Sequence, residues 1–169
     1  IRLAPAVLFA RTSMEAGERS GKTTQVTHNT GLVRDLADFL GAFMHDLATG
    51  SVTVPVLSSI EQLKKRYSVL GRSLATAEIL RLVATDDQMP TTVTVNQGQD
   101  AMAVAHVALA ALKRADTFAD GCKLIMKSLL AQHPQSNLLH LPAAFQLFGS
   151  LYGAARGMSR LPQGLVNTV

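Results

Sequence analysis

The sequence predicts an all-α protein, and three observations carry that prediction. Apolar residues recur at helical spacing along most of the chain. Helix-opening and helix-closing residues punctuate that spacing. The one run that alternates like a strand, Thr91-Thr92-Val93-Thr94-Val95, has no partner elsewhere and is read as part of a long loop over residues 85–98. A length of 169 residues suits one domain, 1–169, with a core that needs no disulfide or metal to hold it.

The elements follow in order. Residues 1–10 are apolar after a single basic residue, as in a signal-peptide core, but Pro5 interrupts them and no small-residue cleavage site follows. They are read as an internal boundary, so the domain is expected to be part of a longer one. Leu32, Leu36, Phe39, Leu40, Phe43 and Leu47 form an apolar stripe closed by Gly50. Arg34, Asp35, Asp38 and His45 or Asp46 lie opposite, so this helix is expected to pack on one side. Pro55 marks a connection, and Ser58 to Glu61 reads as a capping box before Ile60, Leu63, Tyr67 and Leu70. Another helix carries Leu74, Ala77, Leu80 and Val83.

Asp100 is placed to cap the alanine-rich helix that follows, and Thr117 with Asp120 forms a second capping pair before Phe118, Cys122, Ile125 and Leu129. The last helix is expected from about Ser136 to Arg156, along Leu138, Leu141, Phe145, Phe148 and Tyr152. Pro142 would kink it or shift its start. Gly149 and Gly153, one turn apart, would let another helix approach closely.

Composition excludes several classes. Hydrophobic residues at 47% and charged residues at 17% do not make a disordered chain. Aromatics at 5%, without Trp, do not make a base-stacking platform. No apolar run is long enough to span a bilayer, so a soluble, intracellular protein, cytoplasmic by default, is expected without a membrane partner. Cys122 stands alone, which excludes an internal disulfide and suits a reducing compartment. The basic excess sits in the last third, on Lys113, Arg114, Lys123, Lys127, Arg156 and Arg160 against Asp116 and Asp120. A solvated helix face explains it better than a nucleic-acid surface, which stays an alternative.

Candidate chemistry is sparse. Gly17-Glu18-Arg19-Ser20-Gly21-Lys22-Thr23 looks like a phosphate-binding loop but has one residue too few between its glycines, and is read as a polar loop. His28, His45, His106, His133 and His140 are scattered, and His106 is embedded in an apolar run. Cys122 falls in mid-helix, a poor place for an attacking thiolate. Asp86 and Asp87 are adjacent in the loop and lack further oxygen ligands for a cation.

Three stretches taken in order carry more. Arg2-Leu3-Ala4-Pro5 leads an apolar helix. Thr27-His28 precedes the long helix that ends at Gly50. Phe118 to Pro162 holds a helix, a link, then Gly149-Ser150-Leu151-Tyr152-Gly153 and Leu161-Pro162. Together they resemble the C-terminal half of the ADP-ribosylglycohydrolase family, over nearly the whole chain. That family has a Met-Arg-x-x-Pro helix start, a Thr-His, an alanine-rich helix, a helix for which Thr117-Phe118-Ala119-Asp120-Gly121 stands here, an acidic metal motif, and a closing Gly-Ala-x-x-Gly with Ile-Pro or Leu-Pro beyond. The resemblance implies an orthogonal multi-helix bundle, and it implies Arg2, His28 and Tyr152 as ligand-binding positions.

The resemblance also implies two Mg²⁺ or Mn²⁺ ions held by carboxylates, because hard dications need oxygen anions around them. Counting back from Gly153, the late carboxylate motif falls on Ser136-Asn137-Leu138-Leu139, where Leu138 cannot be a ligand. The early motif would lie upstream of Ile1, and Thr85-Asp86-Asp87 comes in the wrong order to replace it. The expectation is therefore a degenerate member with no catalytic residues, no metal and no cofactor. It would serve as a scaffold, a subunit for another protein chain, or a binder of an ADP-ribose-like ligand. The alternatives are an active hydrolase completed by a missing N-terminal half, and an unrelated helical module that contacts RNA or an acidic partner.

Overall fold

A computed structural model describes residues 3–26, 30–67, 80–81, 83–84, 100–130 and 140–157. Of these, 84% are helical and none is in a strand. Seven α-helices have defined bounds: α1 Ala4–Leu8, α2 Ser13–Gln25, α3 Gly31–Ala48, α4 Ile60–Tyr67, α5 Asp100–Arg114, α6 Phe118–Leu130 and α7 Leu141–Arg156. A short 3-10 helix, Val54–Ser58, precedes α4. The chain is an all-helical bundle. The Thr91–Val95 run and the expected helix start at Leu74 lie outside the described residues.

The stripe from Leu32 to Leu47 forms α3 as its spacing dictates. Thr30 caps it, its hydroxyl accepting a long hydrogen bond from the Val33 amide at 3.4 Å. Gly50 ends it with a φ of +70°, a left-handed conformation in which only glycine avoids a Cβ penalty. The one-sided packing does not hold. Val33, Ala37, Ala42, Met44 and Asp46 are buried along with the stripe, and Arg34, Asp35 and Asp38 are half-buried. The reason is position: α3 is packed by α1, α2, α5 and α7, so almost its whole circumference is covered.

The segment read as a polar loop is instead the helix α2. Its signal was a capping box: the Thr12 hydroxyl accepts from the Glu15 amide at 3.2 Å, and the Glu15 carboxylate accepts from the Arg11 amide at 2.8 Å. Gly17 and Gly21 are helix-packing residues. A Cβ on Gly17 would lie 2.6 Å from the Asp38 carbonyl oxygen, and one on Gly21 would overlap the Asp38 carboxylate. From the α3 side, a Cβ on Gly41 would overlap the Ser20 hydroxyl and sit 2.8 Å from the Ala16 carbonyl oxygen. The backbones of α2 and α3 thus nearly touch. A helix this polar can be buried because its hydroxyls bond to their own backbone. Ser20 donates to the Ala16 carbonyl at 2.7 Å, and Thr24 donates to that of Ser20 at 2.9 Å.

The second half packs α5, α6 and α7 together, with α5 and α7 meeting α3. Val104, Ala105 and Val107 through Leu112 of α5 are buried. Thr117 and Asp120 form the expected capping pair: the Thr117 hydroxyl accepts from the Asp120 amide at 3.1 Å and donates to its carboxylate at 2.6 Å. The last helix starts at Leu141 with His140 as its N-cap, later than the expected Ser136, and Pro142 falls in its first turn, where a missing amide hydrogen costs nothing. Among the described residues, Gly149 and Gly153 bring no helix close. A Cβ on Gly149 would make an ordinary 3.7 Å contact with Phe118, and one on Gly153 would meet nothing within 4 Å. The close approach is at Gly121 of α6, beneath the ring of Phe148.

Candidate functional site

A concavity lies where the chain turns from α3 into α4. Gly50 stops α3, Pro55 opens the 3-10 helix, and Ser59 caps α4. The cap is one residue later than the Ser58 expectation: the Ser59 hydroxyl accepts from the Gln62 amide at 3.4 Å, and its carbonyl accepts from Leu63 at 3.1 Å. Leu57 anchors the segment, fully buried in the core. Around it opens a cleft of about 700 Å³. Ser51, Thr53, Ser58 and Ser59 bring hydroxyls to its lining, Gln62 a carboxamide, and Lys65 and Arg66 cations, while Val52, Pro55 and Val56 supply an apolar wall. No carboxylate is among the described lining residues.

Behind the cleft, Asp46 of α3 holds α4 in place. It is 3% exposed, and its Oδ2 accepts two hydrogen bonds at 2.7 Å, from Arg66 Nε and from the Tyr67 hydroxyl. Its backbone carbonyl accepts from the Val52 amide at 3.2 Å and the Thr49 hydroxyl at 3.3 Å. Burial pushes the Asp46 carboxyl up, but the Arg66 and Tyr67 hydrogen bonds and the Arg66 charge outweigh it and hold the group below its usual range. Burial, reinforced by the hydrogen bond to Asp46, pushes the Tyr67 hydroxyl far up, so it stays a neutral donor. The Tyr67 ring is set edge-on against Phe39 and Phe43, with centroids 5.3 and 6.2 Å away. His45 lies on the other side of the carboxylate, its Nδ1 4.0 Å from Asp46 Oδ1, too far for a hydrogen bond.

Of the three ligand-binding positions that the resemblance implied, the described residues include only Tyr152. Arg2 and His28 lie outside the described residues. Tyr152 is 2% exposed, set edge-on to Phe118 and tilted against Phe148, and its hydroxyl donates to the Asp116 carbonyl at 3.4 Å. Asp86, Asp87, Ser136 and Leu138 also lie outside the described residues. Among the described residues no three His, Cys, Asp or Glu side chains group so as to hold a metal ion. The donor set Ser136 and Leu138 does not fit a dication, since leucine offers it no electron pair.

Other candidates are absorbed by the fold. Burial raises the Cys122 thiol, which keeps it protonated and slow to attack. Part of the late basic excess is spent internally. Lys113 donates to the Val83 and Ala84 carbonyls at 2.9 and 3.2 Å, Arg114 to the Ala110 carbonyl at 3.1 Å, and Lys123 pairs with Asp120 at 3.4 Å. No helix among the described residues is long and apolar enough to cross a membrane.

The cleft itself left little trace in the sequence. Lys64-Lys65-Arg66 reads as the exposed turn of a helix, and nothing local says that an aspartate twenty residues earlier will take up the arginine. No family model matches the sequence, and no curated protein or solved structure matches it either.

Proposed function

We propose that this chain is a non-catalytic binding module, an ADP-ribosylglycohydrolase-like helical bundle that holds a phosphorylated, ADP-ribose-like ligand without hydrolysing it. The observation that carries the reading is the cleft between α3 and α4. Two adjacent cations and four hydroxyls line it, with no carboxylate among the described lining residues, beside an apolar wall of Val52, Pro55 and Val56. Cations and hydroxyls suit phosphate and ribose oxygens, and an apolar wall suits the face of a base. A volume of about 700 Å³ lies within the range of small-molecule sites. The absence of turnover rests on chemistry: Ser136 and Leu138, where the resembled family has carboxylates, cannot neutralise a pair of dications.

The test is calorimetric titration of the whole chain with ADP-ribose, at low and high salt, beside a product assay on ADP-ribosylated substrate with Mn²⁺ present. Saturable binding that weakens as salt rises, is lost in Lys65→Ala/Arg66→Ala, and comes without turnover is the expected result. Turnover, or ADP-ribose binding unchanged in the double variant, would overturn it.

A further inference from the structure

We propose that Asp46 is a positioning residue, which turns Arg66 so that its two terminal Nη groups receive one phosphate group end-on. The inference rests on the cleft reading and adds to it how the anion is recognised. An arginine has five N–H donors in a rigid planar fork. Arg66 spends Nε on Asp46 Oδ2 at 2.7 Å, and its Nη groups hydrogen-bond no other described residue. Held by that edge, the guanidinium has lost rotational freedom before any ligand arrives, and its remaining donors belong to a side chain that lines the cleft.

The anchor is itself fixed. Asp46 sits in the buried part of α3, and the Tyr67 hydroxyl shares its Oδ2 at 2.7 Å, so the carboxylate cannot swing to follow Arg66 outward. Each phosphate of a diphosphate, internal or terminal, has two non-bridging oxygens spaced for such a fork. Lys65, next in the chain and on the same rim, adds charge without direction. Arg66 is thus a directional contact and Lys65 a diffuse one.

Substitutions separate direction from charge. The probes are inorganic pyrophosphate and ADP-ribose, titrated into the whole chain and its variants, with thermal unfolding run on each. Arg66→Lys keeps the charge and loses the fork, and it is expected to weaken both probes about tenfold while the salt dependence of binding is retained. Asp46→Asn is expected to weaken binding by about fivefold to tenfold. Tyr67→Phe keeps the Asp46–Arg66 bond but removes the second hold on the carboxylate, so it should lower the unfolding temperature and weaken both probes by less than Asp46→Asn does. Arg66→Lys lies at a half-exposed position and decides the matter even if Asp46→Asn does not fold. Binding by Arg66→Lys within about twofold of the parent would overturn the positioning role and leave the cleft reading intact. Failure of the parent chain to bind either probe would overturn the cleft reading itself.

Discussion

The ring of Phe148 lies directly over the bare Cα of Gly121: a Cβ built on that glycine would overlap Cζ and stand 2.6 and 2.7 Å from Cε1 and Cε2. The contact joins α6 to α7 and also stacks Phe148 on Phe118, with centroids 5.5 Å apart. Gly121→Ala therefore sets helix propensity against overlap. Alanine favours a helix over glycine by about 1 kcal/mol, but a rigid ring in a filled core has little room to move and overpacking costs about 1–3 kcal/mol. Net destabilisation is expected in a urea titration. Gly153→Ala, with nothing within 4 Å of its Cβ, should instead stabilise by about 0.5–1 kcal/mol.

Phe148→Ala removes the ring and leaves a cavity between α6 and α7. The residue is fully buried, so a loss of about 3–5 kcal/mol is expected from the midpoint of chemical unfolding. A loss under about 1 kcal/mol would mean that the two helices close over the gap.

The α2–α3 seam should be less forgiving than a side-chain core. A Cβ at Gly17 would meet a backbone carbonyl at 2.6 Å, and a carbonyl in mid-helix cannot rotate aside. Gly17→Ala is expected to destabilise by about 2 kcal/mol or more despite its gain in helix propensity. Gly31→Ala, in open space at the start of α3, is the matched control and should stay within about 1 kcal/mol of the parent by thermal unfolding.

Asp46 gives a prediction in pH. Its carboxyl is held below the ordinary value of 3.8, so it binds protons more weakly folded than unfolded. The stability this contributes is complete above the unfolded value and is lost as pH falls through the lower folded one. The urea midpoint of the parent should drop between pH 6 and about pH 2–3 by more than that of Asp46→Asn, which has no proton to gain there. Glu15, Glu18 and Asp120 are also held low and contribute to both curves alike, so the difference isolates Asp46. Equal drops would show that Asp46 does not titrate against folding.

Local signals in this sequence were legible, and signals that depend on a distant partner were not. Gly50 ended α3 and Thr117 capped α6 because each acts within one helical turn of itself. Gly17 and Gly21 were ambiguous because a glycine in a polar stretch marks a loop or a close helix crossing equally well. Only α3 against them, through the Asp38 carbonyl at Gly17 and the Asp38 side chain at Gly21, with Gly41 opposite, decides between the two. The burial of Asp46 was hidden for the same reason. A carboxylate near the end of an amphipathic helix belongs in solvent unless a cation and a phenol arrive from elsewhere, and these come from Arg66 and Tyr67. The expected prominence of Tyr152 came from its place beside two glycines, whereas its ring completes an aromatic cluster, 5.7 Å from Phe118 and 5.5 Å from Phe148.

Asp46 fastens both ends of one segment: its main chain takes the Val52 amide and its side chain takes Arg66 and Tyr67. The stretch between is therefore a closed loop clasped at Asp46 and pinned midway by Leu57, its one fully buried residue before α4. Such a loop opens as a unit, because releasing the clasp frees both ends together. Amide hydrogens of the 3-10 helix and of α4 should then exchange with one shared opening free energy, lower than that of α3. A ligand across the cleft would slow them all by the same factor, so that its arrival could be read at Val56 as well as at Arg66.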